Sequence, residues 1–316
     1  MPTPQTPDHL LQEALDIAEI YGSGHMALKA GATTVKRTVF DTRVAQARLK
    51  GMKPTVKKDA PRVYTRQRIG KMHLVIPDTQ VKPGVCTDHM EWIGNYIVEK
   101  KPDVIVHIGD HYDFPSLSSY DKGKISFEGR RYVNDVKAGR DAMERLLKPL
   151  QDYNRTAREK YQPEMHFCLG NHEIRVSRVV DNNPEYHGKF DLADLGLEDF
   201  GWTVHDFLKP VEIDGILYCH FFTSGVMGRP VSSAAALLRE RQQSATMGHV
   251  QKWDLAVHPK TQNIGLFAGV CYLHDEDYLS PQGNECKRHV VVKNEVEDGR
   301  FDPMFASLRY LEKAYS

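Results

Sequence analysis

From residue 71 onward the chain alternates short apolar runs that end in polar residues with longer amphipathic stretches. "MHLVIPDTQ" closes on Asp78 and Gln80, "DVIVHIGDHYD" on Asp110 and Asp113, and "MHFCLGNHE" on Asn171 and His172. "GILYCHFF" carries His220 inside its run, and "MGHVQ" places His249 and Gln251 after a further one. Helical patterning falls between them, in "HMEWIGNYIVEKK" and "RRYVNDVKAGRDAMERLLKPL". Strand and helix in alternation predict an α/β domain with ligands at the carboxyl ends of its strands. No repeat and no low-complexity tract interrupts the pattern.

The first fifty residues read differently, as helices alone. "HLLQEALDIAEIYG" spaces Leu10, Leu11, Ala14, Ile17, Ala18 and Ile20 for one face, with Gly22 as a stop. "GHMALKAG" predicts a short second helix ending at Gly31. "TTVKRTVFDTRVAQARLKG" predicts a third, with Thr33 or Thr34 as N-cap and Val35, Val39, Val44, Ala47 and Leu49 for packing. This order resembles a helix-turn-helix, which would expose Lys36, Arg37, Thr38, Arg43 and Arg48 on the third helix. A three-helix bundle used for packing or protein contact is the alternative. The expected division is 1–52 helix-turn-helix, 53–70 basic linker and 71–316 α/β domain, with the boundary near 65.

Composition changes this picture only in its distribution. Lys+Arg and Asp+Glu are equal at 42 each in 316 residues. Residues 36–70 nevertheless hold eleven Lys/Arg against two acids, and residues 71–316 hold 30 against 36. A basic front end joined to an acidic body suggests an anionic partner, with a solvated linker as the alternative. Five scattered cysteines form no CxxC pair and no disulfide framework, and the three in apolar runs read as buried thiols. No run has the length of a membrane span, and "MPTPQTPDHL" lacks a signal peptide's regions. A cytoplasmic protein with no membrane partner is expected.

Taken singly, the polar strand ends are weak signals, and a lone strand His such as His220 is more often a satisfied core histidine. As an ordered series, D-x-Q, GD-x-x-D, GNHE, H and GH-x-Q, they resemble the calcineurin-like metallophosphoesterases over roughly residues 71–280. "PSLSSYDKGKISFEGRRY" and "GVCYLHDEDYLSPQGN" further resemble phosphoesterases encoded by phages and prophages, some with an N-terminal helix-turn-helix. In a phage-encoded protein the compartment would be the bacterial host cell.

The resemblance implies a β-sandwich flanked by helices that holds two divalent ions. Asp110 would bridge both; Asn171, His220 and His249 would complete one site; Asp78, Gln80 and Gln251 would complete the other. His172 would face the substrate as the catalytic side chain. Gln80 and Gln251 stand where the family has His. An amide ligates only through its neutral, hard oxygen, which favours Mn²⁺, with Mg²⁺, Zn²⁺ or Fe as alternatives. Either Gln could instead position water. Asp113 reads as a ligand, a cap or a supporting acceptor. Arg130, Arg131 and Arg175 are candidate phosphate contacts or ordinary surface residues. His274, Asp275, Glu276 and Asp277 form a substrate-facing cluster or an exposed acidic turn.

The expected function is a two-metal phosphodiesterase acting on DNA, a nuclease, with Lys36, Arg37, Arg43 and Arg48 binding the nucleic acid. The alternatives are an esterase of a small nucleotide or phosphomonoester, and an inactive DNA-binding protein.

Overall fold

The computed structural model describes residues 6–56, 70–276, 279, 282 and 286–316. Most of the expected linker (57–69), the boundary near 65, and Asp277 lie outside the described residues. The chain divides into two compact units, Met1–Gln67 and Arg68–Ser316.

The first unit holds α1 (Asp8–Tyr21), α2 (Gly24–Lys29) and α3 (Arg37–Leu49). Gly22 ends α1 in the left-handed conformation that L side chains resist. The Ser23 hydroxyl caps α2 by accepting from Met26 N. The expected Thr cap on α3 is not made. Lys36 occupies the N-cap without a side-chain bond, and Thr33 Oγ1 instead accepts from Val35 N at 3.2 Å. The core is Leu11, Ala14, Leu15, Ala27, Phe40, Val44 and Ala47. Val39 and Leu49, assigned to packing from the sequence, are exposed, because the inward face of α3 is Phe40, Val44 and Ala47 and both lie off it. Lys36, Arg37 and Arg48 are exposed, and Arg43 is half-buried.

The second unit contains β1 (Lys71–Ile76), α4 (Asp88–Lys100), β2 (Val104–His107), α5 (Tyr132–Thr156), β3 (Glu164–Cys168), α6 (Arg175–Asn182) and β4 (Thr203–His205). There follow β5 (Val211–Ile213), β6 (Ile216–Tyr218), β7 (Thr223–Ser224), β8 (Arg229–Pro230), α7 (Ala234–Arg241), β9 (Ser244–Met247), β10 (Trp253–Val257) and β11 (Ile264–Ala268). The last elements are β12 (His289–Glu297), β13 (Arg300–Ser307) and α8 (Leu308–Tyr315). One sheet runs β13-β12-β1-β2-β3-β4 and the other β10-β11-β9-β6-β5. The pairs β1/β2, β2/β3 and β3/β4 are parallel, while β12 joins β1 antiparallel.

Side chains of period two sort these strands into layers. On β1, β2 and β12, Val75, Val104, Val106 and Val291 face Ile216, Tyr218 and Leu266 of the other sheet. Their neighbours Leu74, Ile76, Ile105, Val290 and Val292 face the opposite way, onto residues of α4, α5 and α8. The second sheet turns Leu217, Ala245, Met247 and Phe267 toward α7. The result is a β-sandwich flanked by helices, as expected. Of the five free cysteines, the three in apolar runs, Cys168, Cys219 and Cys271, are buried as expected; Cys86 is exposed and Cys286 half-buried.

Candidate metal centre

The polar residues after β1, β2, β3, β6 and β9 converge where these strands end. Asp110 Oδ2 lies 3.3 Å from His220 Nε2. Asn171 Oδ1 lies 3.0 Å from His220 Nε2 and 2.7 Å from His249 Nδ1. Ligand atoms of Asp110, His220 and His249 all fall within 4.8 Å of one another. Gln80 Nε2 donates to Asp110 Oδ2 at 3.3 Å, and the Asp78 carboxylate accepts from His249 N at 3.0 Å. Gln251 lines the same cavity, with its Oε1 accepting from the Tyr272 hydroxyl at 3.1 Å.

The backbone is bent to bring these groups together. Gln80, Asp110, His249 and Gln251 all adopt positive φ, between 44° and 65°. Four non-glycine residues held in this sparsely populated region at one place mark a site that the surrounding fold over-determines. Two motif glycines have a related cause. A Cβ at Gly170 would stand 2.1 Å from Asp110 Oδ1, and one at Gly248 would stand 2.2 Å from Asp78 Oδ1.

The donor set fits divalent cations. His220 Nδ1 lies 2.9 Å from Ile108 O, a carbonyl that can only accept, so Nδ1 carries the hydrogen. Nε2 therefore turns its lone pair toward two further acceptors, Asn171 Oδ1 and Asp110 Oδ2. A proton or a cation must stand among them. Burial opposes a charged imidazole, yet the Asp110 carboxylate pushes His220 up to about 9. Burial likewise raises Asp78, and with the negative charge of Asp110 beside it Asp78 reaches about 8. Burial lowers His249 to about 4, helped by the charge of His220. Gln80 Oε1 is buried without a hydrogen-bond partner. Converging oxygens, an orphaned amide oxygen and two buried carboxyls are what a cation centre of hard donors requires.

His172 stands beside this group and is held apart from it. Its Nδ1 lies 2.8 Å from Asp113 Oδ1 and 2.9 Å from Asp113 O, and its Nε2 lies 3.7 Å from Asp110 Oδ2. Arg175 Nη1 donates to Asp113 O at 2.7 Å, and Nη2 lies 3.2 Å from His172 Nε2. Burial works against a proton on His172, but Asp110 and Asp113 outweigh it and raise the imidazole above its usual value. Asp113 thus supports His172.

Glu173 was not assigned a role from the sequence. Its buried carboxylate accepts the backbone N–H groups of Asp110, His111, Tyr112 and Gly170 at 2.7–3.0 Å. It ties the loop after β2 to the loop after β3, and so fixes Asp110 relative to Asn171. Its place directly after Asn171 and His172 was the available signal.

The acidic cluster divides. Asp275 is exposed and pairs with Arg288, whereas Glu276 is buried. Glu276 binds His274 Nε2 at 2.7 Å and Lys82 Nζ at 2.6 Å, and Lys82 lies 3.3 Å from Asp113 Oδ2. His274 therefore belongs to a chain of polar contacts leading to His172. Arg130 pairs with Asp121, and both Arg130 and Arg131 line the cavity over the centre.

The layered sandwich thus gathers oxygen and imidazole donors suited to divalent cations at its strand ends. The chain belongs to the calcineurin-like phosphoesterase family, whose model matches residues 73–267. Two phage proteins are similar to it over 198 residues, 60% of this chain and 72% of theirs. The Gene 54 protein of Mycobacterium phage D29 is 27% identical and that of Mycobacterium phage L5 is 32% identical. Among solved structures, zinc-complexed Vps29 from Entamoeba histolytica is similar at 11% identity with a TM-score of 0.35, over 75% of this chain and 99% of its own. No helix among the described residues is long and apolar enough to cross a membrane.

Proposed function

We propose that the protein is a phosphodiesterase that cuts DNA in a bacterial cytoplasm, on behalf of a phage or prophage. The observation that carries this reading is one cavity of about 1220 Å³ lined by Asp110, Asn171, His172, Arg175, His249 and Gln251. Pockets for small ligands run to about 1,000 Å³, so this one suits a longer polyanion better than a phosphomonoester. Asp78, Gln80, Asp110, Asn171, His220, His249 and Gln251 would hold two divalent ions, Mn²⁺ favoured by the amide oxygens. Such ions supply charge neutralisation on phosphoryl oxygens and an activated water. His172, steered by Asp113, would hold a proton at Nε2 for the departing alkoxide, and Arg175 would fork onto phosphate oxygens.

The front unit would add affinity. Lys36, Arg37, Arg43 and Arg48 all stand on or next to α3, and in this reading they contact DNA phosphates as part of a helix-turn-helix. Covalent attachment then raises the local concentration of phosphodiester at the centre.

Turnover of bis-p-nitrophenyl phosphate with Mn²⁺, beside degradation of plasmid and oligonucleotide, tests the reading. Hydrolysis of the chromogenic diester without strand cutting would leave an esterase of small nucleotides. Gln80 and Gln251 favour one other reading, DNA binding without hydrolysis, which silence in both assays would support.

A further inference from the structure

Part of the wall of the cavity comes from one insert, residues 115–131, between β2 and α5. This insert is built as a frame around Asp121. Lys124 Nζ lies 2.8 Å from Asp121 Oδ1, and Arg130 Nη1 lies 2.8 Å from Asp121 Oδ2 and 3.1 Å from Pro115 O. Ser116 N donates to Asp135 at 3.0 Å and anchors the start of the frame to α5. Next to the hub stands Tyr120. It lines the cavity, yet 85% of it is exposed. Among the described residues its ring has no aromatic or cationic partner and its hydroxyl no hydrogen bond. Arg131, also on the wall, makes no ion pair among the described residues.

A large aromatic face held in an unpartnered position costs exposed apolar area with no return inside the protein. Its neighbours on the wall include three cations, Lys124, Arg130 and Arg131, against two carboxylates, Asp121, which pairs with the first two, and Glu128. Aromatic face and cations together are how a strand with splayed bases is bound. The ring stacks a base of any identity and the cations follow the backbone. A duplex keeps its bases stacked on each other and offers Tyr120 no free face.

We propose that Tyr120 is a nucleobase platform, and that the substrate is single-stranded nucleic acid. A base flanking the scissile phosphate stacks on the Tyr120 ring while Lys124 and Arg131 contact neighbouring phosphates. The inference rests on the phosphodiesterase reading above and adds which form of nucleic acid enters.

The test compares kcat/KM for cleavage of a single-stranded oligonucleotide with that for a strand of equal length whose bases are replaced by tetrahydrofuran spacers. The wild-type full-length protein should prefer the base-bearing strand by about 5- to 150-fold, the range expected from one base–aromatic stack. Tyr120→Ala should bring that ratio close to one, and Tyr120→Trp should keep it. Duplex of the same sequence should be cut less well than the single strand. A wild-type ratio near one, or a ratio equally high in Tyr120→Ala, overturns the platform while leaving strand cutting intact. Hydrolysis of bis-p-nitrophenyl phosphate by wild type with neither strand cut overturns the DNA reading, and the platform with it.

Discussion

His172 Nδ1 lies 2.8 Å from Asp113 Oδ1, and this contact decides which nitrogen of the imidazole is available for chemistry. The oxygens facing Nδ1 only accept, so Nδ1 keeps its hydrogen and Nε2 turns toward Asp110 and Arg175. His172→Ala should therefore keep its metal content and lose kcat by about 10²- to 10⁴-fold if the imidazole is a general acid. The loss should shrink with p-nitrophenolate as leaving group, since that anion needs no proton. Equal losses for good and poor leaving groups, measured by steady-state kinetics, would reduce His172 to an electrostatic contact. Asp113→Asn should show the same pattern with a smaller loss.

Asp110 is the residue on which the centre converges, bound by Gln80 Nε2, by His172 N and by the imidazole of His220. Asp110→Asn should lower turnover by more than the roughly 10- to 100-fold typical of residues that only support ligands. His220→Ala and His249→Ala should each lose bound metal in elemental analysis. Full turnover by Asp110→Asn at saturating Mn²⁺ would end the metal assignment.

Much of this centre was legible because each contributor sits in its own short motif at a strand end, where apolar patterning stops. Asp78, Asp110, Asn171, His220 and His249 needed only the order of those motifs. The structure adds what a linear pattern cannot carry. Glu173 acts through four backbone N–H groups drawn from two loops. Lys82 and Glu276 are 194 positions apart and meet at 2.6 Å. The positive φ of four site residues depends on the loops being pulled together. In the front unit Val39 was assigned to the core from the sequence, whereas Phe40, four and seven positions before Val44 and Ala47, shares their face of α3 and is the residue buried.

Lys293 shows a different limit of sequence reading. It lies on β12 and reaches into the sandwich, fully buried, with its Nζ 2.6 Å from Thr246 Oγ1 and 3.1 Å from the Tyr218 hydroxyl. No carboxylate pairs with it among the described residues. Burial pushes its pKa well below the usual lysine value. Between the folded and the unfolded pKa the folded state therefore holds a neutral amine where the unfolded chain binds a proton. Stability should be lowest below the folded pKa and rise with pH until the unfolded value near 10.4, by about 1.4 kcal/mol per unit from this group. Lys293→Met should remove that part of the slope. Urea denaturation from pH 6 to 10 measures it, and parallel profiles for wild type and variant would contradict a depressed Lys293 pKa.

The front unit should govern affinity more than chemistry. The argument is one of charge and covalent connection. Residues 36–70 carry nine more basic than acidic side chains, while residues 71–316 carry six more acidic than basic. An acidic body collects DNA poorly by itself, although bound cations would offset part of its charge. Deleting residues 1–65 should leave turnover of a small chromogenic diester nearly unchanged, a proposal resting on the fact that none of the described residues of that segment belongs to the centre. DNA binding should weaken, and what remains should depend less steeply on salt, because fewer counterions leave the phosphates on binding. Reversing Lys36, Arg37 and Arg43 to Glu should mimic the deletion. Lys36 and Arg37 are exposed, and Arg37 gives up only a 3.5 Å surface pair with Asp41, so the reversal tests charge without dismantling the Leu11–Phe40–Val44 core. A truncated protein that binds and cuts DNA as well as the full chain across a salt series would make the three helices an assembly element and move the small-nucleotide reading to first place.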